Sequence, residues 1–240
     1  MLFTACLIVM GAFLRETNAM VPKIVVSWAA PSGSFFTNFS ANLLVPQAYQ
    51  GGAGTVSILT GLTKSSSSVE LLMSYLSGNE SSQGWYAHEE SVFYDHHNNG
   101  QLNDTIYPVG GNNFAPVGGT FSSEFDFEGA KSGTSGPSYY QVEVSFDPSA
   151  AGSGNGDWQT SPGISFPEVV MGIVTTGNAT WNWGPTVWSD VTMTVNTADL
   201  SWCTQGGTIV GAGGREYNFQ TSVNGNSSTC KVETVELYPY

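Results

Sequence analysis

The chain has 240 residues, 10% of them charged against 40% hydrophobic and 12% aromatic, and its six Lys and Arg face nineteen Asp and Glu for a formal net charge of −13. An ordinary soluble chain is about one quarter charged, so solubility rests on neutral polar groups or on something attached later, and the many aromatics exclude a disordered chain. Without clustered Lys and Arg there is nothing to neutralise phosphates, which excludes nucleic acid and disfavours anionic membranes as partners; the shortage of helix formers beside abundant Val, Thr, Tyr and Gly excludes a helical bundle.

Residues 2–14 are a mostly apolar run, followed by Arg15-Glu16-Thr17-Asn18-Ala19, whose small residues at Thr17 and Ala19 suit signal peptidase. The run is too short to span a bilayer. Residues 1–19 therefore read as a secretory signal and 20–240 as a single domain, secreted or in the secretory pathway, with no integral membrane segment after cleavage. No Lys or Arg precedes the run, which keeps a buried N-terminal strand as the alternative. Cleavage removes Cys6 and leaves Cys203 and Cys230, an even pair bound for an oxidising compartment and expected to be bridged. Closing a loop of about 28 residues is worth about 3.6 kcal/mol in the chain-entropy model. Asn38, Asn79, Asn103, Asn178 and Asn226 each open an Asn-x-Ser/Thr glycosylation signal, and occupied sites would explain solubility at so low a charge content.

Short apolar or alternating runs bounded by Gly, Pro, Asn or Ser follow at 23–29, 40–45, 54–59, 69–76, 85–95, 105–109, 119–127, 139–146, 169–175, 187–195 and 232–238. Eleven such runs and no convincing helix predict an all-β chain of two packed antiparallel sheets, a β-sandwich. Asn98-Asn99-Gly100 marks a hairpin within 85–107, because Asn-Gly accepts the positive φ of a tight turn. The Gly- and Ser-rich stretches 130–138 and 149–156 read as loops.

The chain's three histidines lie in His88-Glu89-Glu90 and Asp95-His96-His97. Alternation along a strand places His88 and Glu90 on one face and Glu89 on the other, while His96 and His97 point apart beside a turn, so no metal is expected. Glu124, Asp126 and Glu128 alternate with Phe125 and Phe127, the pattern of a solvent-facing acidic strip on a half-buried strand rather than of a glycosidase pair. No Gly-x-Ser-x-Gly elbow marks a serine hydrolase. The aromatics are more distinctive: Trp28, Trp85, Tyr86, Tyr94, Trp158, Trp181, Trp183, Trp188 and Trp202, with Trp181-Asn182-Trp183 presenting two indoles on one side of an extended segment. They either fill a sandwich core or wall an apolar or sugar-binding cleft.

Val45-Pro46, then Thr55-Val56-Ser57-Ile58-Leu59-Thr60-Gly61-Leu62, Val69-Glu70-Leu71-Leu72-Met73-Ser74 and 85–92 resemble the front half of fungal secreted concanavalin A-like jelly rolls, including the eqolisin glutamic peptidases. The resemblance implies that the strand carrying the eqolisin catalytic Gln matches 69–76, with Met73 in its place, and that the catalytic Glu falls at Gly172 or Ile173. Neither substitute activates water or polarises a carbonyl, so the resemblance implies the scaffold without its dyad. The chain is also similar overall to the secreted hetero-Diels-Alderases of tropolone-sesquiterpenoid pathways. That likeness implies loss of water from a hydroxymethyl tropolone to an o-quinone methide, then addition across a humulene-type double bond to a dihydropyran.

Such chemistry needs no cofactor; it needs a dry pocket for small apolar or aromatic partners and a proton donor. Trp28, Met73, Tyr75, Trp85, Trp181 and Trp183 are the expected walls and His88, Tyr86 and Glu90 the candidate donors. A lectin-like binding module, expected to show a shallow polar groove with an exposed aromatic, and a diverged glutamic peptidase are the competing readings.

Overall fold

Runs of β-branched and aromatic residues broken at short intervals by Gly, Pro and Asn can satisfy their backbone groups in few ways other than by antiparallel pairing. A computed structural model describes residues 24–49, 52–64, 70–79, 84–95, 101–108, 114–129, 139–147, 153–159 and 165–240, of which 91–95, 101–108, 139 and 153–159 are described by their main chain. The described strands are β1 (Ile24–Ala29), β2 (Phe36–Leu44), β3 (Thr55–Thr63), β4 (Leu71–Asn79), β5 (Trp85–Asp95), β6 (Gln101–Pro108), β7 (Phe114–Ala115), β8 (Thr120–Gly129), β9 (Tyr139–Asp147), β10 (Ser153–Gln159), β11 (Glu168–Thr175), β12 (Thr186–Val195), β13 (Thr208–Val210), β14 (Gly213–Asn224) and β15 (Ser227–Tyr238). One helical turn, α1 (Ser201–Thr204), lies between β12 and β13.

The strands form two sheets, eight-stranded in the order β13-β1-β11-β3-β4-β5-β6 with β7 beside β5, and seven-stranded in the order β10-β9-β8-β2-β12-β15-β14. Between them lies an aromatic core in which Trp28, Trp85, Trp188, Phe36, Phe39, Phe121, Phe125, Tyr140 and Phe166 are fully buried. Phe39 stacks on Phe125 and Phe121 on Phe146, each pair joining neighbouring strands of the smaller sheet. Two polar links between described residues cross the core. The Trp188 indole N–H donates to Thr60 Oγ1 at 3.0 Å, and the Ser74 hydroxyl donates to Ser123 Oγ at 2.6 Å. Unpaired, these groups would each cost about 1–3 kcal/mol in such a core, so they hold the two sheets in one alignment. The disulfide Cys203–Cys230 ties α1 to β15, and Trp202 beside it donates to Ser228 Oγ at 3.0 Å.

The expected sandwich and bridge are therefore present, with differences in detail. Residues 1–23, the turn at Asn98-Asn99-Gly100 and the loop at 130–138 lie outside the described residues. The strands of the expected hairpin do pair, from His88 opposite Pro108 to Asp95 opposite Gln101. The stretch 149–156 is not wholly loop: β10 begins at Ser153 and pairs along β9 as far as Gln159 opposite Tyr139. The ladder with β9 overrides the weak strand propensity of Gly154 and Gly156. Two short strands, β7 and β13, and the long β14 correspond to none of the expected runs; β14 is an edge strand whose residues from Tyr217 onward are all exposed, so it carries no burial alternation. It forms by hairpin pairing to β15 across a turn at Gly225, which takes a φ of 59°.

Candidate functional site

The outer face of a sandwich sheet ordinarily meets water, which produces apolar and polar residues in alternation. The central strands of the larger sheet break that rule: β3, β4 and β11 are buried on both faces over most of their length. On β4, Leu72 and Leu76 join the inter-sheet core, while Leu71, Met73 and Tyr75 belong to a second cluster on the opposite face. That cluster also holds Val25 of β1, Leu59 of β3, and Val170 and Val174 of β11. Met73 and Leu59 are only 3% exposed although they face away from the other sheet.

Strand register maps the face. One row reads Val25, Gly172, Leu59, Tyr75 and His88 across β1, β11, β3, β4 and β5. The next reads Ser27, Val170, Gly61, Met73 and Glu90, and on the other side Val174, Ser57, Ser77 and Tyr86 form a third. The face has an aliphatic half on β1, β11 and β3 and a hydrogen-bonding half on β4 and β5, with Met73 and Tyr75 between them. Gly61 is needed there, because a Cβ would lie 2.7 Å from the Met73 Cβ and 2.6 Å from the Leu72 carbonyl oxygen.

On the polar half, the His88 ring stacks on Tyr75 with centroids 5.0 Å apart, and its Nε2 lies 3.0 Å from Ser77 Oγ. Burial keeps the His88 pKa below its ordinary value, so the imidazole is neutral at neutral pH. Tyr86 packs edge-on against Phe114. Glu90 is 1% exposed and directly opposite Met73. Glu89 alternates to the inter-sheet side, opposite Ser74, where burial pushes its carboxyl up to about 7.

Of the expected site residues, the structure brings together Met73, Tyr75, Tyr86, His88 and Glu90, and it places the tryptophans elsewhere. Trp28 and Trp85 are inter-sheet core residues on the opposite face from Met73. The Trp85 indole N–H is held by the carbonyls of Pro46 and Gln47 at 3.1 and 3.2 Å. Trp183 packs edge-on against Trp85, and Trp181 lies tilted by 32° against Trp183, at the margin of that same core. Large indoles gain more from the deep inter-sheet layer than from a one-sided face, so a cleft walled by all six expected residues does not form. Ser77 and the aliphatic floor were not among the expected site residues. The floor was legible in the continuous apolar run 169–174 of β11, which denotes a strand buried on both sides, whereas nothing local marked Ser77.

The Gln and Glu positions implied by the eqolisin resemblance, Met73 and Gly172, do share this outer face, two strands apart; Ile173 belongs to the inter-sheet core. His96 and His97 lie outside the described residues, and among those described no group of three or more His, Cys, Asp or Glu could hold a metal. Among the glycosylation signals, Asn178 and Asn226 are exposed in turns, whereas Asn38 sits mid-strand with its amide donating to Asp126. Asn79 is half-buried at the end of β4, and Asn103 lies on β6.

The outer face of the smaller sheet carries an open groove of about 360 Å³ lined by Ser40, Asn42, Ser122, Glu124, Glu143 and Asp190 among others. Burial first, and then the neighbouring Asp126 and Glu143, raise the Glu124 carboxyl above its ordinary range. Glu124 and Glu128 are exposed and Phe125 is buried, as an acidic strip requires. No aromatic ring lines this groove, so a stacking platform for sugars is not among its described residues.

No protein-family model matches the sequence, and no curated protein matches it. Solved structures do match in fold. Scytalido-glutamic peptidase with a transition state analog inhibitor superposes with a TM-score of 0.53 at 9% identity, over 88% of this chain and 98% of that one. The same peptidase with a peptide-based transition state analog gives 0.51 at 11% identity, over 87% and 97%. SCP-B, a member of the eqolisin family of peptidases in complex with a tripeptide, gives 0.48 at 10% identity, over 88% and 96%. The chain thus has an eqolisin-like sandwich scaffold, and at these identities the likeness is one of fold.

Proposed function

We propose that the chain is a secreted, glycosylated, cofactor-independent pericyclase that removes water from a hydroxymethyl tropolone or phenol and adds the resulting o-quinone methide across a humulene-type double bond. The observation that carries the reading is the divided outer face of the larger sheet, where a buried aliphatic half adjoins a half bearing His88, Tyr86, Ser77 and Glu90. The eqolisin resemblance puts the hydrolytic Gln and Glu at Met73 and at Gly172 or Ile173, none of which activates water.

The first step breaks the benzylic C–O bond. The ring hydroxyl gives up its proton, the departing hydroxide takes one, and a quinone methide and water result. A neutral imidazole and a neighbouring carboxyl or phenol are suited to that exchange. The addition then forms one C–C and one C–O bond with no electron or proton supplied by the protein. What the protein contributes is a shared pose: Val25, Leu59, Val170 and Val174 favour a hydrocarbon, and the β4–β5 half offers hydrogen bonds to the oxygenated partner. Holding two reactants in near-attack geometry contributes up to roughly 7–11 kcal/mol.

The test is a chiral mass-spectrometric product assay on purified mature protein with a quinone methide precursor and humulene, beside no-protein and heat-denatured controls. A single stereoisomer formed faster than in both controls supports the reading. A rate and isomer ratio equal to background refute it, and glycan and peptide substrates would then be screened.

A further inference from the structure

We infer that Ser77 is a positioning residue that holds His88 in its Nε2–H tautomer and so leaves the Nδ1 lone pair as the proton acceptor of the site. Two contacts of one hydroxyl carry this assignment. Ser77 Oγ lies 3.4 Å from the Tyr86 carbonyl oxygen and 3.0 Å from His88 Nε2. Both contacts can be made at once in only one way: the Tyr86 carbonyl can only accept, so it takes the single Ser77 proton, and Oγ accepts from the imidazole. With both bonds made, Nε2 carries the hydrogen, and the tautomer follows from the bond at that nitrogen.

Antiparallel pairing makes the arrangement specific. Ser77 is directly opposite Tyr86, and Tyr75 directly opposite His88, so serine and imidazole occupy diagonal positions on one face. The stack on Tyr75, at an interplanar angle of 23°, holds the ring plane while Ser77 sets its rotation. Among the described residues no hydrogen bond reaches Nδ1. The role of that lone pair rests on the proposed water loss; the tautomer does not. In that step Nδ1 takes the proton of the substrate's ring hydroxyl and returns it to the departing hydroxide, so water leaves and the imidazole ends neutral.

The experiment is nitrogen NMR of the mature protein labelled at histidine, together with steady-state kinetics, for the native chain, Ser77→Ala and Ser77→Thr. The native His88 is expected to show a protonated Nε2 and a bare Nδ1. In Ser77→Ala the two nitrogens should move toward exchange-averaged values and kcat should fall about tenfold at unchanged KM, as expected for loss of one positioning hydrogen bond. Ser77→Thr should restore both. A protonated Nδ1 in the native protein overturns the assignment, as does a Ser77→Ala spectrum and kcat like the native ones. If the nitrogens behave as expected while no precursor is turned over by any variant, the pericyclase reading fails and the tautomer assignment stands.

Discussion

Replacing Glu89 by Gln tests the burial of an acid between the sheets. Glu89 is 5% exposed, opposite Ser74 and on the inter-sheet side of β5, and burial raises its pKa from 4.5 to about 7. Between those two values the folded chain holds a proton that the unfolded chain has released, so stability is fully present below pH 4.5 and falls as pH rises through 7. At roughly 1.4 kcal/mol per pH unit the interval amounts to about 3 kcal/mol, and residual screening by water reduces it to about 2 kcal/mol. For a domain of this size that is roughly 4–8 °C of Tm. The assay is thermal unfolding of the native chain and Glu89→Gln at intervals from pH 4.5 to 8. Glu124 and Glu216 are also raised, and His88 is lowered, which gives the opposite slope just below pH 6.5; all three are common to both proteins and cancel in the difference. The amide shifts the absolute stability, so the difference in slope is the quantity of interest. Parallel curves for the two proteins would refute the assignment of the titration to Glu89.

The two faces of the larger sheet should respond differently to substitution. Met73→Leu conserves volume on the outer face, so it should cost less than about 1.5 kcal/mol while changing product rate or stereoisomer ratio; Trp85→Phe, which leaves the carbonyls of Pro46 and Gln47 without their indole donor, should cost about 2–3 kcal/mol with unchanged turnover per folded molecule. Paired melts and product assays check both. Reduction of Cys203–Cys230, or the double Ser substitution, should lower stability by about 3 kcal/mol, roughly 6–12 °C in Tm, and the double variant should melt identically with and without reductant.

The eleven expected runs correspond to described strands because their β-branched and aromatic content, with Gly and Asn at the breaks, is a local property. The bridge was legible from parity once residues 1–19 were read as a signal. The strands that escaped notice, β7, β10, β13 and β14, lie at sheet edges or pair with a single neighbour, and are specified by the strand they pair with rather than by their own composition. At the site, alternation along β5 correctly separated His88 and Glu90 from Glu89, since period two is built into any strand.

Alternation says which residues share a face but not which face is inside. Tyr86, His88 and Glu90 on β5, and Met73 and Tyr75 on β4, could therefore each be grouped from sequence, whereas the assignment of Trp28 and Trp85 to their company had no local basis. Composition, strand periodicity and cysteine parity determined the all-β class, the sandwich and the disulfide, because each depends on residue chemistry within a short segment or on a count. Sheet order and register decided the rest: that β3, β4 and β11 lie side by side, that their second face is closed to water, and that Ser77 comes within 3.0 Å of His88. Those relations are contacts between strands, some consecutive in the chain such as β4 and β5 and some distant such as β3 and β11, and only sheet pairing and packing select them.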